Sequence, residues 1–201
     1  MSIFCRYPFD HIYSDSTGMM MPCCAATTNH PNRPHVDSKF PCRPIEDGMF
    51  SYRDLPEMKQ LRSDMMRKNP YTDLVKDVCR NCIRQEEEGK ESDRVPIDAR
   101  PHGRIYEVKV RIFGNTCNLQ CYMCHIRNSS NRIRQTEKMI EHDEKIADFL
   151  AYDTVPDNLK KNGGTMDPID FDRCLDEIKK NAHKINVLYI IDRRASCRER
   201  V

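Results

Sequence analysis

The chain of 201 residues contains no tryptophan, few aromatic residues and no long apolar run. Its longest apolar run, residues 187–191, is far shorter than the roughly 18 residues that cross a bilayer, so no membrane-spanning helix is expected. The first ten residues lack the apolar stretch of a signal peptide, which argues against export and predicts a cytoplasmic protein.

The chain also has little net charge. Its 33 basic and 31 acidic residues leave a formal net charge of +2 at pH 7. Binding to the phosphates of a nucleic acid needs a clear basic excess, so we do not expect a nucleic-acid partner.

Cysteine, by contrast, is abundant, with 11 residues. In a reducing cytosol, so many cysteines indicate metal ligation or catalysis rather than disulfide bonds. Because aromatic residues are scarce, apolar burial alone gives a thin core, which a bound metal would reinforce. The composition therefore predicts a cytoplasmic metalloprotein.

The first half of the chain contains two predicted helices. Apolar residues at helical spacing predict one over residues 51–69, with Asp54 as its N-cap and Pro56 in its first turn. A short second helix is expected after Cys82, through acidic residues 86–88 that we expect to be solvated, ending at Gly89.

The second half predicts a strand, two helices and a second strand. Apolar and charged residues alternate over 106–112, a charged helix is expected over 131–150, and a helix with an apolar face begins near residue 167. Residues 185–191 predict a buried strand. This order is typical of an α/β fold with parallel strands.

Three cysteines lie within eight residues directly after the first of these strands: Cys117, Cys121 and Cys124. Zinc sites usually gather their ligands as two separated pairs, so a compact triplet suits zinc poorly. A four-iron cluster has four corners, and three thiolates leave one iron open to a small chelating ligand.

This CxxxCxxC triplet after a strand resembles the radical SAM superfamily. The resemblance implies that Cys117, Cys121 and Cys124 bind a 4Fe-4S cluster whose open iron is chelated by S-adenosylmethionine. In this family the reduced cluster cleaves S-adenosylmethionine to methionine and a 5′-deoxyadenosyl radical. An aromatic residue usually precedes the last cysteine; here Met123 stands there, after Tyr122, and we expect these two residues to contact the cofactor.

A second set of cysteines lies upstream in the pattern C-x12-G-x4-C, formed by Cys5, Gly18 and Cys23, with a later CxxC at Cys79 and Cys82. The glycine suits a hairpin turn that brings the flanking segments together. The pattern resembles the SPASM/twitch module, which holds an auxiliary iron–sulfur cluster in many radical SAM enzymes, although there it usually follows the catalytic core.

The resemblance implies four ligands for the auxiliary cluster: Cys5, Cys23, Cys79 and Cys82. Two alternatives stay open, since the neighbouring Cys24 competes with Cys23, and the same four thiolates suit a structural zinc ion. Cys42 and Cys174 are expected to be ordinary residues.

The resemblance divides the chain into a small cysteine-rich α+β metal-binding module at residues 1–94, a linker at 95–103, and the start of a radical SAM partial (β/α) barrel at 104–191. It implies an electron donor such as a flavodoxin or ferredoxin, and relatives with auxiliary clusters often modify peptides or proteins. The alternative is a non-catalytic zinc- or iron–sulfur-binding module with a structural or electron-transfer role.

Residues 192–201 have no apolar periodicity, and residues 194–201 match the translation of a common sequencing-library adapter. We therefore expect a non-native tail on a fragment of the radical SAM core. A fragment supplies few of the walls around the cofactor, so this chain itself is expected not to cleave S-adenosylmethionine.

Overall fold

A computed structural model of the chain describes residues 4–31, 36–67, 71–94, 105–111, 115, 126, 129–150, 152, 155, 157–161 and 170–190. The predicted linker at 95–103, the cysteine triplet with Tyr122 and Met123, and the tail at 192–201 lie outside these residues. The chain forms two compact units, one of Met1–Ile112 with Asp170–Ile190, the other of Phe113–Ile169 with Ile191–Val201.

The first unit contains a mixed five-stranded sheet. Its strands are β1 (His11–Ser14), β2 (Met19–Met21), β3 (Arg43–Pro44), β4 (Ile105–Val110) and β5 (Ile185–Ile190). They lie in the order β3-β2-β1-β4-β5, with β1 parallel to β4 and β4 parallel to β5. The protein is therefore of the mixed α/β class, as predicted. Strands from residues 1–94 and from residues 104–191 share this one sheet.

Gly18 forms the turn between β1 and β2, which pair antiparallel. Its φ of 72° lies in the left-handed region, which glycine adopts without steric cost. The predicted hairpin is confirmed. It brings the segment before β1, which contains Cys5, to the same end of the hairpin as the segment after β2, which contains Cys23.

Nine α-helices are described. The first unit contains α1 (Tyr7–Asp10), α2 (Met49–Tyr52), α3 (Pro56–Met65), α4 (Asp73–Val78), α5 (Arg80–Glu87) and α9 (Phe171–Lys180). The second unit contains α6 (Ser130–Ile140), α7 (Lys145–Phe149) and α8 (Asp157–Lys161). No helix in the described ranges has the length and apolar character to cross a membrane.

Two predicted helices are each divided in two. The helix expected over 51–69 forms α2 and α3, because Leu55 precedes a proline and takes the extended conformation with ψ of 143°. Leu55, not Asp54, occupies the N-cap position of α3. The helix expected over 131–150 forms α6 and α7, where the Asp143 carboxylate accepts a hydrogen bond from the Lys145 amide at 3.0 Å.

The helix predicted from residue 167 is described from Phe171, with Asp170 as its N-cap. The Asp170 carboxylate accepts a hydrogen bond from the Arg173 amide at 3.0 Å. The strand that follows, β5, is not the buried strand that we predicted. It pairs with β4 at the edge of the described sheet, and Leu188 and Tyr189 are 39% and 50% exposed.

The core of the first unit is rich in methionine. The central strand β1 is buried along its whole length, and Val108 and Val110 of β4 are fully buried. Methionine supplies much of the remaining apolar volume, because its flexible side chain fills irregular gaps in a core that contains no tryptophan. The fully buried methionines include Met20, Met21, Met49 and Met58.

The second unit has a small core of its own. Ile126, Ile133, Val155 and Leu159 form a buried cluster against which Tyr152 packs. The Tyr152 hydroxyl donates a hydrogen bond to the Glu137 carboxylate at 2.7 Å, tying α6 to the chain that precedes α8.

Candidate metal centre

The four upstream cysteines come from three separate segments of the first unit. Cys5 precedes α1, Cys23 follows β2, and Cys79 and Cys82 lie at the start of α5. Cys79 is the N-cap of α5, and Cys82 lies three residues later, so both thiols lie on one face of the helix. The helix N-terminus also favours negative charge, which suits a thiolate.

Backbone and side-chain hydrogen bonds hold these segments together. The Thr27 amide donates to the Val78 carbonyl at 2.9 Å, and the Asn81 side chain donates to the Ala25 carbonyl at 3.1 Å. Both bonds tie the segment after Cys23 to the junction of α4 and α5. In the same way, the Arg62 side chain donates to the Pro8 carbonyl at 3.3 Å, which ties α3 to the segment after Cys5.

All four predicted ligands line one cavity, here called the cysteine cavity. The space inside it that a water molecule can occupy is about 20 Å³. Its walls are mainly apolar, with two charged residues among them: Cys5, Tyr7, Pro8, Pro22, Cys23, Ala25, Met65, Val78, Cys79, Cys82, Asp93 and Arg94. Thiols gathered in an apolar recess are the setting in which structural metals and clusters are held.

Burial is the main influence on the pKa values of three thiols of the cysteine cavity, those of Cys23, Cys79 and Cys82. Burial, with added repulsion from Cys5, raises the pKa of Cys23 well above its usual value and that of Cys79 to about 12. Burial also raises the pKa of Cys82, where Arg94 opposes the shift and Cys5 adds to it. A bound cation reverses this balance, because it stabilises the thiolate form of every ligand at once.

Two backbone amides also face the sulfur atoms. The Ala25 amide donates a hydrogen bond to the Cys23 thiol, and the Asp93 amide donates one to the Cys82 thiol. Burial has the largest effect on the pKa of both thiols, and it raises them. Each amide lowers the pKa of the thiol to which it donates. Amide donors directed at sulfur are among the means by which proteins stabilise and tune iron–sulfur clusters.

The thiols do not converge on one point. Among the described residues, no three His, Cys, Asp or Glu side chains form a group that could hold a metal ion. A zinc ion with Zn–S bonds of about 2.3 Å draws its sulfur ligands to within roughly 3.8 Å of one another. The four cysteines therefore line a common cavity without the close packing that a single ion imposes.

Cys23 and Cys24, the two competing ligands, differ in position. Cys23 lines the cysteine cavity, whereas Cys24 is exposed and does not line it. Cys42 and Cys174 are buried elsewhere: Cys42 donates a hydrogen bond from its thiol to the Asn29 carbonyl at 3.0 Å, and Cys174 lies on α9.

Sequence reasoning missed one charged residue of the cavity, Arg94. Its side chain is 8% exposed, and Nε lies 2.9 Å from the Glu86 carboxylate. The same carboxylate oxygen accepts a hydrogen bond from the Ser92 hydroxyl at 2.6 Å, so Glu86 is not the solvated residue that we predicted. Nothing in the sequence distinguishes Arg94 from the other Lys and Arg residues, because its role depends on the chain folding back after α5.

A second buried cluster, here called the Asp15 network, lies at the β1–β2 turn and consists of Asp15, Thr17 and His30. Asp15 accepts hydrogen bonds from the Thr17 amide at 2.8 Å and the Thr17 hydroxyl at 2.7 Å, and it lies 3.0 Å from His30 Nε2. Burial raises the pKa of Asp15, but hydrogen bonds and charge from His30 and Thr17 outweigh it, so the pKa is lowered overall.

The cysteine triplet Cys117, Cys121 and Cys124 lies outside the described residues, but some residues beside it are described. The Ser130 amide donates to the Asn115 carbonyl at 2.9 Å, and the Ser129 amide donates to the Ile126 carbonyl at 3.2 Å. Asn115, Ser129 and Ser130 are all buried. The first of these bonds joins residues on either side of the triplet, and the second lies after it.

Comparison of the chain with models of protein families, with curated proteins and with solved structures finds no match.

Proposed function

We propose that the first unit holds an auxiliary iron–sulfur cluster on Cys5, Cys23, Cys79 and Cys82, and that the chain is part of a radical SAM enzyme. The observation that carries the proposal is that these four cysteines, from three separate segments, line one cavity. Four cysteine thiolates are the usual ligand set of a 4Fe-4S cluster.

The donor set also suits a zinc ion, and the cluster is proposed because the cysteine pattern resembles that of an auxiliary-cluster module. A cluster core contains several metal and sulfide atoms, so its ligands surround a larger volume than those of one ion. The four thiols line one recess. The same four sulfur donors suit either centre, so the metal content of the reconstituted protein separates the two.

The radical SAM part of the proposal depends on Cys117, Cys121 and Cys124. Three thiolates leave one iron of a cubane cluster open, and S-adenosylmethionine is the ligand that this family places there. The bound cofactors supply the radical chemistry, and the protein binds them and excludes water. Residues of the chain then define the substrate, for which a peptide or protein remains our proposal.

The experiment is anaerobic reconstitution of the chain with ferrous iron and sulfide, followed by counts of iron, sulfide and zinc. We expect brown protein and about eight iron atoms per chain, four at each site. The variant Cys79→Ala/Cys82→Ala should lose about half of the iron. The matched control Cys42→Ala/Cys174→Ala replaces two cysteines outside the cavity and should keep all of it.

Equal iron content in Cys79→Ala/Cys82→Ala and Cys42→Ala/Cys174→Ala would disprove the auxiliary cluster site. A colourless protein with zinc bound to the four cysteines would show a structural zinc ion in place of the cluster. The triplet is tested separately, because Cys117→Ala/Cys121→Ala/Cys124→Ala should keep only the upstream iron. Adding S-adenosylmethionine should alter the electron paramagnetic resonance spectrum of the reduced parent chain and leave that of the triplet variant unchanged.

A further inference from the structure

Arg94 is a buried cation whose hydrogen-bonding capacity is mostly unused. Its side chain is 8% exposed, and Nε forms an ion pair with Glu86 at 2.9 Å. Neither terminal nitrogen, Nη1 or Nη2, has a hydrogen-bond partner among the residues that the structure describes. Since a guanidinium stays charged and its buried donors are costly to leave unpaired, this arrangement indicates an anionic partner.

The position of Arg94 identifies that partner. Arg94 is the single cation among the residues that line the cysteine cavity, where Asp93 is the accompanying carboxylate. Its charge lowers the pKa of Cys79 and Cys82, against the larger effect of burial. The unpaired donors therefore lie beside sulfur atoms that become anionic when they bind metal.

The segment after α5 holds Arg94 in this position. The Glu86 carboxylate binds the Ser92 hydroxyl and Arg94 Nε together, and the Arg94 amide donates to the Ser92 hydroxyl at 3.4 Å. Gly89, with φ of 71°, allows the chain to turn back along the helix. Glu86 thus fixes one edge of the guanidinium and leaves the other free to face the cavity.

We propose that Arg94 balances the charge of the metal–thiolate centre and raises its reduction potential. Four thiolates carry more negative charge than a dipositive cluster core cancels, so the centre keeps a net negative charge that a buried guanidinium offsets. A cation beside the cluster favours the reduced form, which is the more negative one. The inference rests on the proposed cluster at the four cysteines.

The test uses the Cys117→Ala/Cys121→Ala/Cys124→Ala chain, in which only the upstream cluster remains, with a redox titration followed by electron paramagnetic resonance. Arg94→Gln should lower the ratio of reduced to oxidised cluster at least tenfold at a given potential, a shift of about 59 mV to more negative values. Arg84→Gln, which removes an exposed arginine from α5, should leave the potential unchanged.

Two further variants separate a role of charge from a structural role. Arg94→Lys keeps the charge and should restore most of the potential, whereas Glu86→Gln removes a nearby negative charge and should shift the potential in the opposite direction to Arg94→Gln. If Arg94→Gln does not fold, the opposite shift of Glu86→Gln and the retained potential of Arg94→Lys carry the test.

The outcomes distinguish this inference from the proposed function. A parent chain without iron at the four cysteines disproves the proposed cluster and the inference with it. If Arg94→Gln keeps its full iron content and has the same reduction potential as Arg84→Gln, the role of Arg94 is disproved and the proposed cluster is not. A shift in the same direction for Arg94→Gln and Glu86→Gln also disproves it, because loss of local structure would then explain both.

Discussion

The β1–β2 hairpin carries two buried polar regions that differ in how their groups are satisfied. In the Asp15 network, the carboxylate accepts from the Thr17 amide and hydroxyl and from the Met19 amide, and it faces His30. In the cysteine cavity, burial raises the pKa of the thiols of Cys23, Cys79 and Cys82, and Arg94 has two nitrogens without a partner among the described residues.

The difference is the one expected between a structural cluster and the proposed ligand site. In the Asp15 network the buried polar groups satisfy each other. The cysteine cavity combines buried thiols with an arginine whose two terminal nitrogens have no partner among the described residues, and a metal–sulfur centre would satisfy both. The stability of the cavity should therefore depend on metal, whereas that of the network should not.

The largest expected effect is that of Cys5→Ala on the iron-loaded chain. Cys5 interacts with each of the other three cavity thiols, so its loss should release the upstream cluster and lower the free energy of unfolding by at least about 5 kcal/mol. In metal-free protein, Cys5→Ala and the control Cys42→Ala should agree within about 1 kcal/mol. Urea unfolding with and without iron measures both, and equal costs in the two states would contradict the comparison.

Asp15→Ala should give the next largest effect, and the same one with or without iron. It leaves the Thr17 and Met19 amides and His30 without their shared partner, at a cost of about 3–5 kcal/mol in the free energy of unfolding. Asp15→Asn keeps an acceptor oxygen and should cost less. A cost that depends on iron would show that the network belongs to the metal site.

A smaller effect is expected in the acid range. Because the folded state lowers the pKa of Asp15 below its usual 3.8, the carboxylate contributes stability that is present above that value and lost as pH falls through the folded-state pKa. The stability difference between wild type and Asp15→Asn should therefore shrink between about pH 5 and pH 3. A constant difference over this range, measured by unfolding in urea, would show that Asp15 carries no such linkage.

Cys24→Ser should have the smallest effect. Its side chain is exposed and outside the cavity, so iron content should stay unchanged and stability should change by no more than about 0.5 kcal/mol. Cys23→Ser, at the neighbouring position, is the matched variant and should lose the upstream iron. The reverse result would make Cys24 the ligand.

Local sequence patterns predicted the hairpin and the CxxC pair, because each depends on residues a few positions apart. A glycine at the turn and two cysteines one helical turn apart specify their geometry without the rest of the fold. The division of the helix at 131–150 was missed because one side chain, Asp143, competes for the backbone amide that would continue it.

Contacts between distant segments could not be predicted in this way. His30 contacts Asp15 only because the chain after β2 returns to the hairpin turn. No periodic pattern in the sequence predicts this contact. Arg94 reaches the cavity through Glu86 and Ser92, whose own pattern suggests only a charged helix end. The edge position of β5 likewise follows from strand order, whereas its apolar composition alone predicts burial.

The wide separation of the four cysteines along the chain has a consequence for protein synthesis. Cys23 leaves the ribosome 56 residues ahead of Cys79 and Cys5 leaves it 74 residues ahead, so the delays span about 3 to 15 s at 5–20 residues per second. During this interval two thiols are present without the partners that complete the proposed ligand set. A cluster bound at the four cysteines would therefore be delivered only after α5 has emerged, and oxidation of Cys5 or Cys23 in the nascent chain would prevent it.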